Sequence, residues 1–420
     1  MDEIFKFIKY VFKSKLLILG FIIYFSFNIS ALKTHWFDYF FFGSSIHYCC
    51  KGLDFYQIPN GMYAFLNGGD LSGKLPAGVN SYSYPYASNS NVYHPFLTII
   101  LGFFFIIFDP EVSINLWFFI KIFITLLTAF YIYKNFKDNK YLNLAIFLFL
   151  INFSQYNEIK ISQYQFLFNI FLLFFLINLT KKKNSLGGGV LYFLTLIAKP
   201  IGLLWMPVLF LKKKISLLLS GLSLFLISTL TFSLLGVGQY FTDNVLYHLF
   251  HPMNTKNIDF MSFEAILRNS FNLSMELVRA IKIAVLGFIY LLALSKRISV
   301  IVLVYLLVLF FLFFYDLVFQ YHFSVLGPLL AICLLSLDEF QSKAARILIL
   351  IINLPNTFFI FRLLNIGVIS SPVLGTDPTF KTQQIVSFFQ LLPIILLTII
   401  VIFPHIKTLF QKFNYKYVSV

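Results

Sequence analysis

Few ionisable residues interrupt this sequence, so those that do so inside or beside apolar stretches are the natural candidates for chemistry. Asp38 follows the first long apolar run at once and is succeeded by Tyr39, Phe40, Phe41 and Phe42. A carboxylate in such surroundings can act as a general base; in water it is an ordinary loop acid. Lys199-Pro200 splits the apolar stretch 185–211. A lysine embedded in apolar sequence is a functional candidate, able to hold a phosphate, unless it merely reaches headgroups. Ser162-Gln163-Tyr164-Gln165 splits 141–180, with Asn157 and Glu158 nearby. Its amides can bond sugar hydroxyls or act as glue between helices. His248, His251, Lys256 and Arg268 fall in 237–277, and Tyr321-His322 opens a later apolar run. Histidine and arginine suit phosphate binding or leaving-group stabilisation.

Other chemistries lack their signatures. There is no DxD, HExxH or Cys/His cluster, so no metal is expected. His248 and His251, three apart, do not make a metal site alone. There is no P-loop or GxGxxG, and Gly187–Gly189 reads as a helix start. Cys49, Cys50 and Cys333 form no disulfide framework or CxxC and read as packing residues.

The elements that must position these residues are apolar. Hydrophobic residues make up 59% of the 420, charged residues 12%, and mean hydropathy is +0.84. Soluble domains carry roughly 45–50% apolar and 25% charged residues, which excludes a water-soluble globular enzyme. Disorder is excluded too, since disordered chains are polar and poor in aromatics, and Phe alone contributes 56 residues here. Runs long enough to cross a bilayer recur at 16–33, 114–133, 215–236, 278–295, 298–315, 322–337, 345–364 and 384–403. The stretches 141–180 and 185–211 each read as two shorter helices meeting at a polar break, and 95–108 is short for a full crossing. The basic N-terminus before 16–33 resembles a signal peptide but lacks a clean cleavage site, so an uncleaved first helix is expected. The expected fold is an all-α polytopic membrane protein, one integral membrane domain over 1–420 with about 12 transmembrane helices.

Net charge is +15, and its distribution explains it. Lys6 to Lys15, Lys134/Lys137/Lys140, Lys181–Lys183, Lys212–Lys214, Lys296/Arg297, Lys343/Arg346 and Lys407/Lys412/Lys416 hold 20 of the 32 basic residues. The same segments hold five acids, and the rest of the chain balances. By the positive-inside rule these segments and both termini are cytoplasmic. The charge then reports orientation, and no nucleic-acid partner is needed. Two large extracytoplasmic loops follow, 34–94 and 237–277, with 365–383 shorter; loops this long usually carry function. The aromatic run from Asp38 through Tyr48 reads as an interfacial helix, and 60–92 as irregular structure.

Taken in order, these positions resemble one family. The outer Asp38 is followed by Gly52-Leu53-Asp54-Phe55-Tyr56, similar to Gly-x-Asp-x-Tyr. Tyr93-His94-Pro95-Phe96 is similar to Tyr-Pro-Pro-hydrophobic, Ser162-Gln163-Tyr164-Gln165 to Gly-Gln-x-Asn, and Ala198-Lys199-Pro200 to a Lys-Pro element. Ser262 and Arg268 match the end of an Asn-Gln-Ser…Arg element, and Tyr321-His322 a late aromatic-His. Over roughly 30–335 the order resembles glycosyltransferase family 87 of the GT-C superfamily, which includes polyprenyl-phosphate-mannose-dependent mannosyltransferases. Each motif is short, and the resemblance rests on their colinearity. His94 replaces a Pro, Ser162 and Gln165 replace Gly and Asn, and Phe260-Met261 replaces Asn-Gln; these departures put the sugar and acceptor in doubt.

The resemblance implies a GT-C-like bundle with interfacial helices in the first loop and an inverting, metal-independent transfer without cofactor. Asp38 would be the general base. Lys199, Arg268 and His322 would bind the donor phosphate, and Gln163, Gln165, Tyr93, His94, Asp54 and His251 the sugar or acceptor. Partners would be a polyprenyl-phosphate-linked sugar (mannose by family), a lipid or glycan acceptor and membrane lipids. The place would be the plasma membrane, with the active site extracytoplasmic. Two other classes compete. A polysaccharide polymerase or ligase using lipid-diphosphate glycans tends to carry arginines in a large late loop. A lipid or sugar transporter often shows two similar halves with matched broken helices; here both breaks lie in the first half.

Overall fold

The computed structural model describes residues 2–34, 36–37, 52–86, 90–181, 186–246, 262–269, 271–315, 318–354 and 380–417, with a few further positions between 360 and 378. Asp38, the expected interfacial run to Tyr48, Cys49, Cys50, His248, His251 and Lys256 lie outside the described residues.

The described elements are helical apart from one antiparallel pair of short strands, Val368–Ser371 with Gly375–Pro378. In chain order the helices are α1 Asp2–Lys13, α2 Lys15–Ile29, α3 Gln57–Leu66, α4 Pro95–Phe105, α5 Pro110–Phe136, α6 Leu142–Ile151, α7 Ser154–Ile161 and α8 Gln165–Thr180. They continue with α9 Leu186–Ala198, α10 Met206–Leu211, α11 Ile215–Leu234, α12 Phe263–Asn269, α13 Met275–Ala293, α14 Val300–Phe314, α15 Leu326–Ser336, α16 Lys343–Asn353 and α17 Phe380–Tyr417. Tight 3-10 turns, Pro200–Trp205 and Gln320–Val325, precede α10 and α15.

Four helical stretches are long and apolar enough to cross a membrane: Lys15–Thr34, Pro110–Phe136, Ile215–Leu234 and Ser387–Lys407. Seven more apolar helices among the described residues are shorter. The expected dozen full crossings is therefore corrected to four candidates and a set of shorter pieces. The reason is local. Pro200 has no N–H to donate and ends α9, and Ser162 in the left-handed region (φ 57°) ends α7. A second break at Asn152, which the sequence reading did not anticipate, separates α6 from α7; the Asn152 amide donates to Asn353 Oδ1 at 2.8 Å. At 1.5 Å per residue the 11-residue α4 spans roughly 16 Å, about half a hydrocarbon core.

The core is a single apolar cluster in which α8 packs between α9 and α15, α6 between α2 and α15, and α9 against α11. Here α6, α8, α14 and α15 are buried nearly all round, as their lack of a polar face requires. The irregular structure expected over 60–92 is also corrected, since its start belongs to α3. That helix buries Ile58, Met62 and Ala64 and lies on α4. The approach is close enough that a Cβ on Gly102 would sit 2.6 Å from Met62 Cβ. Gly102 and Gly61 are thus contact residues here, although glycine reads as a breaker in sequence.

Candidate functional site

Three breaks in the apolar elements converge on one cavity of about 800 Å³. The Ser162–Tyr164 break supplies Gln163, the Lys199-Pro200 break supplies Lys199, and the turn before α15 supplies Tyr321 and His322. Tyr93 and His94, before α4, complete the wall. A break is what allows this, because a polar side chain can face a cavity where the helix ladder stops. Five residues singled out in the sequence, Tyr93, His94, Gln163, Lys199 and His322, thus line one space although 229 positions separate the first from the last.

Lys199 is extended (φ −153°, ψ 124°) between α9 and the Pro200 turn. Its ammonium lies 5.7 Å from the Phe311 ring centroid and 5.9 Å from that of Tyr321, within cation–π range. Among the described residues no carboxylate lies within ion-pair distance of it. His322 lies against Tyr321 with centroids 4.3 Å apart and the rings tilted by 34°, and it is 4% exposed. Its Nδ1 accepts the Phe319 backbone N–H at 3.0 Å. That bond sets the tautomer: the proton of the neutral ring sits on Nε2, where nothing among the described residues accepts it. One wall therefore offers a cation and a neutral N–H donor.

Gln163 carries the opposite polarity. Its Nε2 donates to Asp54 Oδ2 at 3.1 Å and to Tyr321 Oη at 2.6 Å. Gln57 Nε2 donates to the other Asp54 oxygen at 2.6 Å. An ionised carboxylate only accepts, so it fixes the Gln163 amide with N–H₂ toward Asp54 and the carbonyl away. Gln163 Oε1 is buried and has no hydrogen-bond partner among the described residues. Among the described residues Gln163 alone both lines the cavity and carries such an atom. Asp54 is placed by main-chain bonds across to α7, Gly52 N–H to Lys160 O at 3.1 Å and Asp54 N–H to Ile161 O at 3.3 Å.

The remaining expected residues fall differently. Both His94 ring nitrogens are engaged: Nδ1 accepts the Phe96 N–H at 3.2 Å, capping α4, and Nε2 bonds Thr229 Oγ1 at 3.0 Å. His94 thus forms the wall with its ring, and its nitrogens hold α4 to α11. Gln165 donates to Asn169, which donates to Ser324, so it ties α8 to the His322 turn. Neither Gln165 nor Arg268, on α12, is among the residues lining the cavity.

Several lining residues were not singled out in the sequence. Asp70 and Asp243 lie on the cavity's lining in the loop segments. Asp70 is tied into its own turn, with Oδ1 accepting the Ser72 N–H at 2.8 Å. Tyr240 donates to Tyr93 O at 2.6 Å, and burial pushes its phenol up, so it stays a protonated donor. The signal for Tyr240 was faint, a tyrosine among many in an aromatic sequence.

No protein-family model matches this chain, and neither a curated protein nor a solved structure is similar enough to count as a match.

Proposed function

We propose that this chain is an inverting GT-C-type glycosyltransferase that moves a sugar from a polyprenyl phosphate to a hydroxyl acceptor at the extracytoplasmic membrane surface. The observation that carries the reading is the wall formed by Lys199 and His322: a cation with no carboxylate at ion-pair distance among the described residues, beside an N–H donor, in a cavity built from broken apolar helices. Such a wall suits an anion. The cavity's size suits a headgroup of a phosphate and one sugar. The bundle takes the donor's hydrocarbon tail into surrounding lipid, and both termini are cytoplasmic, as the basic loops indicate.

In the proposed reaction the Asp38 carboxylate takes the proton of the acceptor hydroxyl. The acceptor oxygen attacks the anomeric carbon from the face opposite the phosphate. The bond from that carbon to the phosphate oxygen breaks, and its electron pair leaves on the phosphate monoester. Lys199 and the His322 Nε2–H stabilise the charge that develops there. Gln163 Oε1 accepts a sugar hydroxyl, since an O–H is the group that satisfies a buried carbonyl oxygen of fixed direction. Asp54 acts one step back, by holding that direction.

The test is transfer from a defined polyprenyl-phosphate sugar by purified protein in vesicles. Asp38→Asn is expected to abolish transfer, by about 10²–10⁴-fold as for loss of a general base, while the variant elutes and melts like the parent. Full activity of Asp38→Asn would remove the assigned base. Transfer from lipid-diphosphate glycans alone would replace the donor class.

A further inference from the structure

Helix α1, Asp2–Lys13, plays no part in the cavity, yet its surface divides into three sectors. At 100° per residue, Phe7, Tyr10 and Val11 share one side. They face the bundle: Phe7 packs on Phe130 and Tyr133 at 5.7 and 5.3 Å, and Tyr10 on Tyr133 at 4.9 Å. Lys6, Lys9 and Lys13 cluster on a second side. Ile4, Phe5, Ile8 and Phe12 make the third; Phe5 is 66% and Phe12 74% exposed. This third sector is an apolar face without a protein partner among the described residues.

Two observations say what covers it. Phe130 and Tyr133 belong to the last turns of the candidate span α5, just before Lys134, Lys137 and Lys140. The rings therefore fasten α1 at the level where α5 leaves the apolar layer. Next, Ser14 is extended (φ −107°, ψ 107°), and its Oγ caps the following candidate span by accepting the Leu17 N–H. The extended residue separates the two helices, so α1 is held at a membrane border by both ends of its contacts. Acidic Asp2 and Glu3 in its first turn and Lys13 in its last stabilise the helix through its dipole.

We infer that α1 is an interfacial helix lying on the lipid leaflet that meets the chain's basic loops. Ile4, Phe5, Ile8 and Phe12 enter the acyl boundary, and Lys6, Lys9 and Lys13 meet anionic headgroups. The apolar and basic sectors adjoin, which is the pattern such helices require. Each lysine near an anionic surface adds to the attraction, so lipid charge matters as well as the apolar face. The inference requires α2 to cross the bilayer but is independent of the proposed reaction.

The full-length chain provides the test, with Cys49, Cys50 and Cys333 replaced by serine and a single cysteine at Ile8 or Lys6 carrying an environment-sensitive fluorophore. The vesicles are phosphatidylcholine with roughly one-third phosphatidylglycerol, enough charge to engage three lysines. The Ile8 label is expected to be quenched by lipids spin-labelled just below the headgroup and shielded from aqueous iodide. The Lys6 label is expected to show the reverse. Equal iodide quenching at both sites overturns the proposal, because the apolar sector then faces water. Protection of the Ile8 label from iodide without lipid quenching also overturns it, because a protein surface covers the helix. A third arm replaces Lys6, Lys9 and Lys13 with glutamate. Iodide access to Ile8 should rise several-fold in anionic vesicles and stay low in pure phosphatidylcholine; no difference between the two removes the anionic partner.

Discussion

Two of the lysines enclosed by apolar and aromatic side chains in this protein meet opposite fates. Lys121, on α5, is 1% exposed and lies 3.5 Å from Glu158, which is equally buried, while donating to Ile159 O at 3.4 Å. Lys199 has aromatic rings and a cavity, and no carboxylate at ion-pair range among the described residues. The first charge is neutralised inside the protein. The second has no such counter-charge in contact among the described residues. Embedding a cation in apolar sequence therefore does not by itself mark function, and the distinguishing feature is whether the fold supplies the counter-charge. Read from sequence, Lys121 is one more residue in a long apolar run, and its acid 37 positions away gives no periodic signal. Lys199 stands out because, with Pro200, it breaks an apolar stretch that basic loops bracket on both sides.

The contrast can be broken by experiment. The largest effect is expected at the closed pair. Lys121→Met leaves Glu158 buried without its cation and should cost about 3–5 kcal/mol, read as a lower melting temperature and loss of monodisperse protein. The double replacement Lys121→Met with Glu158→Leu should recover most of that loss. No destabilisation in the single variant would mean the pair contributes nothing. Lys199→Met should behave in the opposite way. Its melting temperature should stay near the parent's, because among the described residues no carboxylate lies at ion-pair distance to be left without its cation. Transfer from the polyprenyl-phosphate sugar should fall about 10²–10³-fold, as when one donor to a developing anion is removed. A melting drop as large as that of Lys121→Met would make the two lysines equivalent and remove the argument for a phosphate wall.

The smallest effect sharpens the carboxylate side of the comparison. Glu158 balances a charge, whereas Asp54 orders amides. Asp54→Asn lets the Gln163 amide turn over, so its carbonyl no longer holds one direction. Donor sugars lacking one hydroxyl at a time should be discriminated about 10–10²-fold by the parent at one position, the range for an unsatisfied buried acceptor. In Asp54→Asn that preference should shrink toward unity. An unchanged preference would show that Gln163 does not read the hydroxyl.

The sequence showed the breaks better than what the breaks bring together. Lys199-Pro200 and Ser162–Gln165 were legible because proline and clustered amides contradict an apolar helix. The helix α3 was hidden, since Pro59 and Gly61 look like interruptions until Gly61 is seen to fit against its neighbours. Arg268 looked like a phosphate ligand because its residue type suits one, but α12 does not bring it to the cavity lining. The Asp54–Gln163–Tyr321 bonds join residues 109 and 158 positions apart, and pairing over such distances leaves no local pattern.

Ser162 differs from the glycine of the resembling Gly-Gln-x-Asn element, and that difference looked like a change to the pocket. The backbone gives it another meaning. At φ 57° and ψ 39° the residue sits where glycine is at ease, and its hydroxyl donates to Ile159 O at 2.7 Å. A short polar side chain that hydrogen-bonds nearby backbone eases this conformation. The position is thus specified by a dihedral angle and not by a letter. The bend at Ser162 is what turns Gln163 toward the cavity.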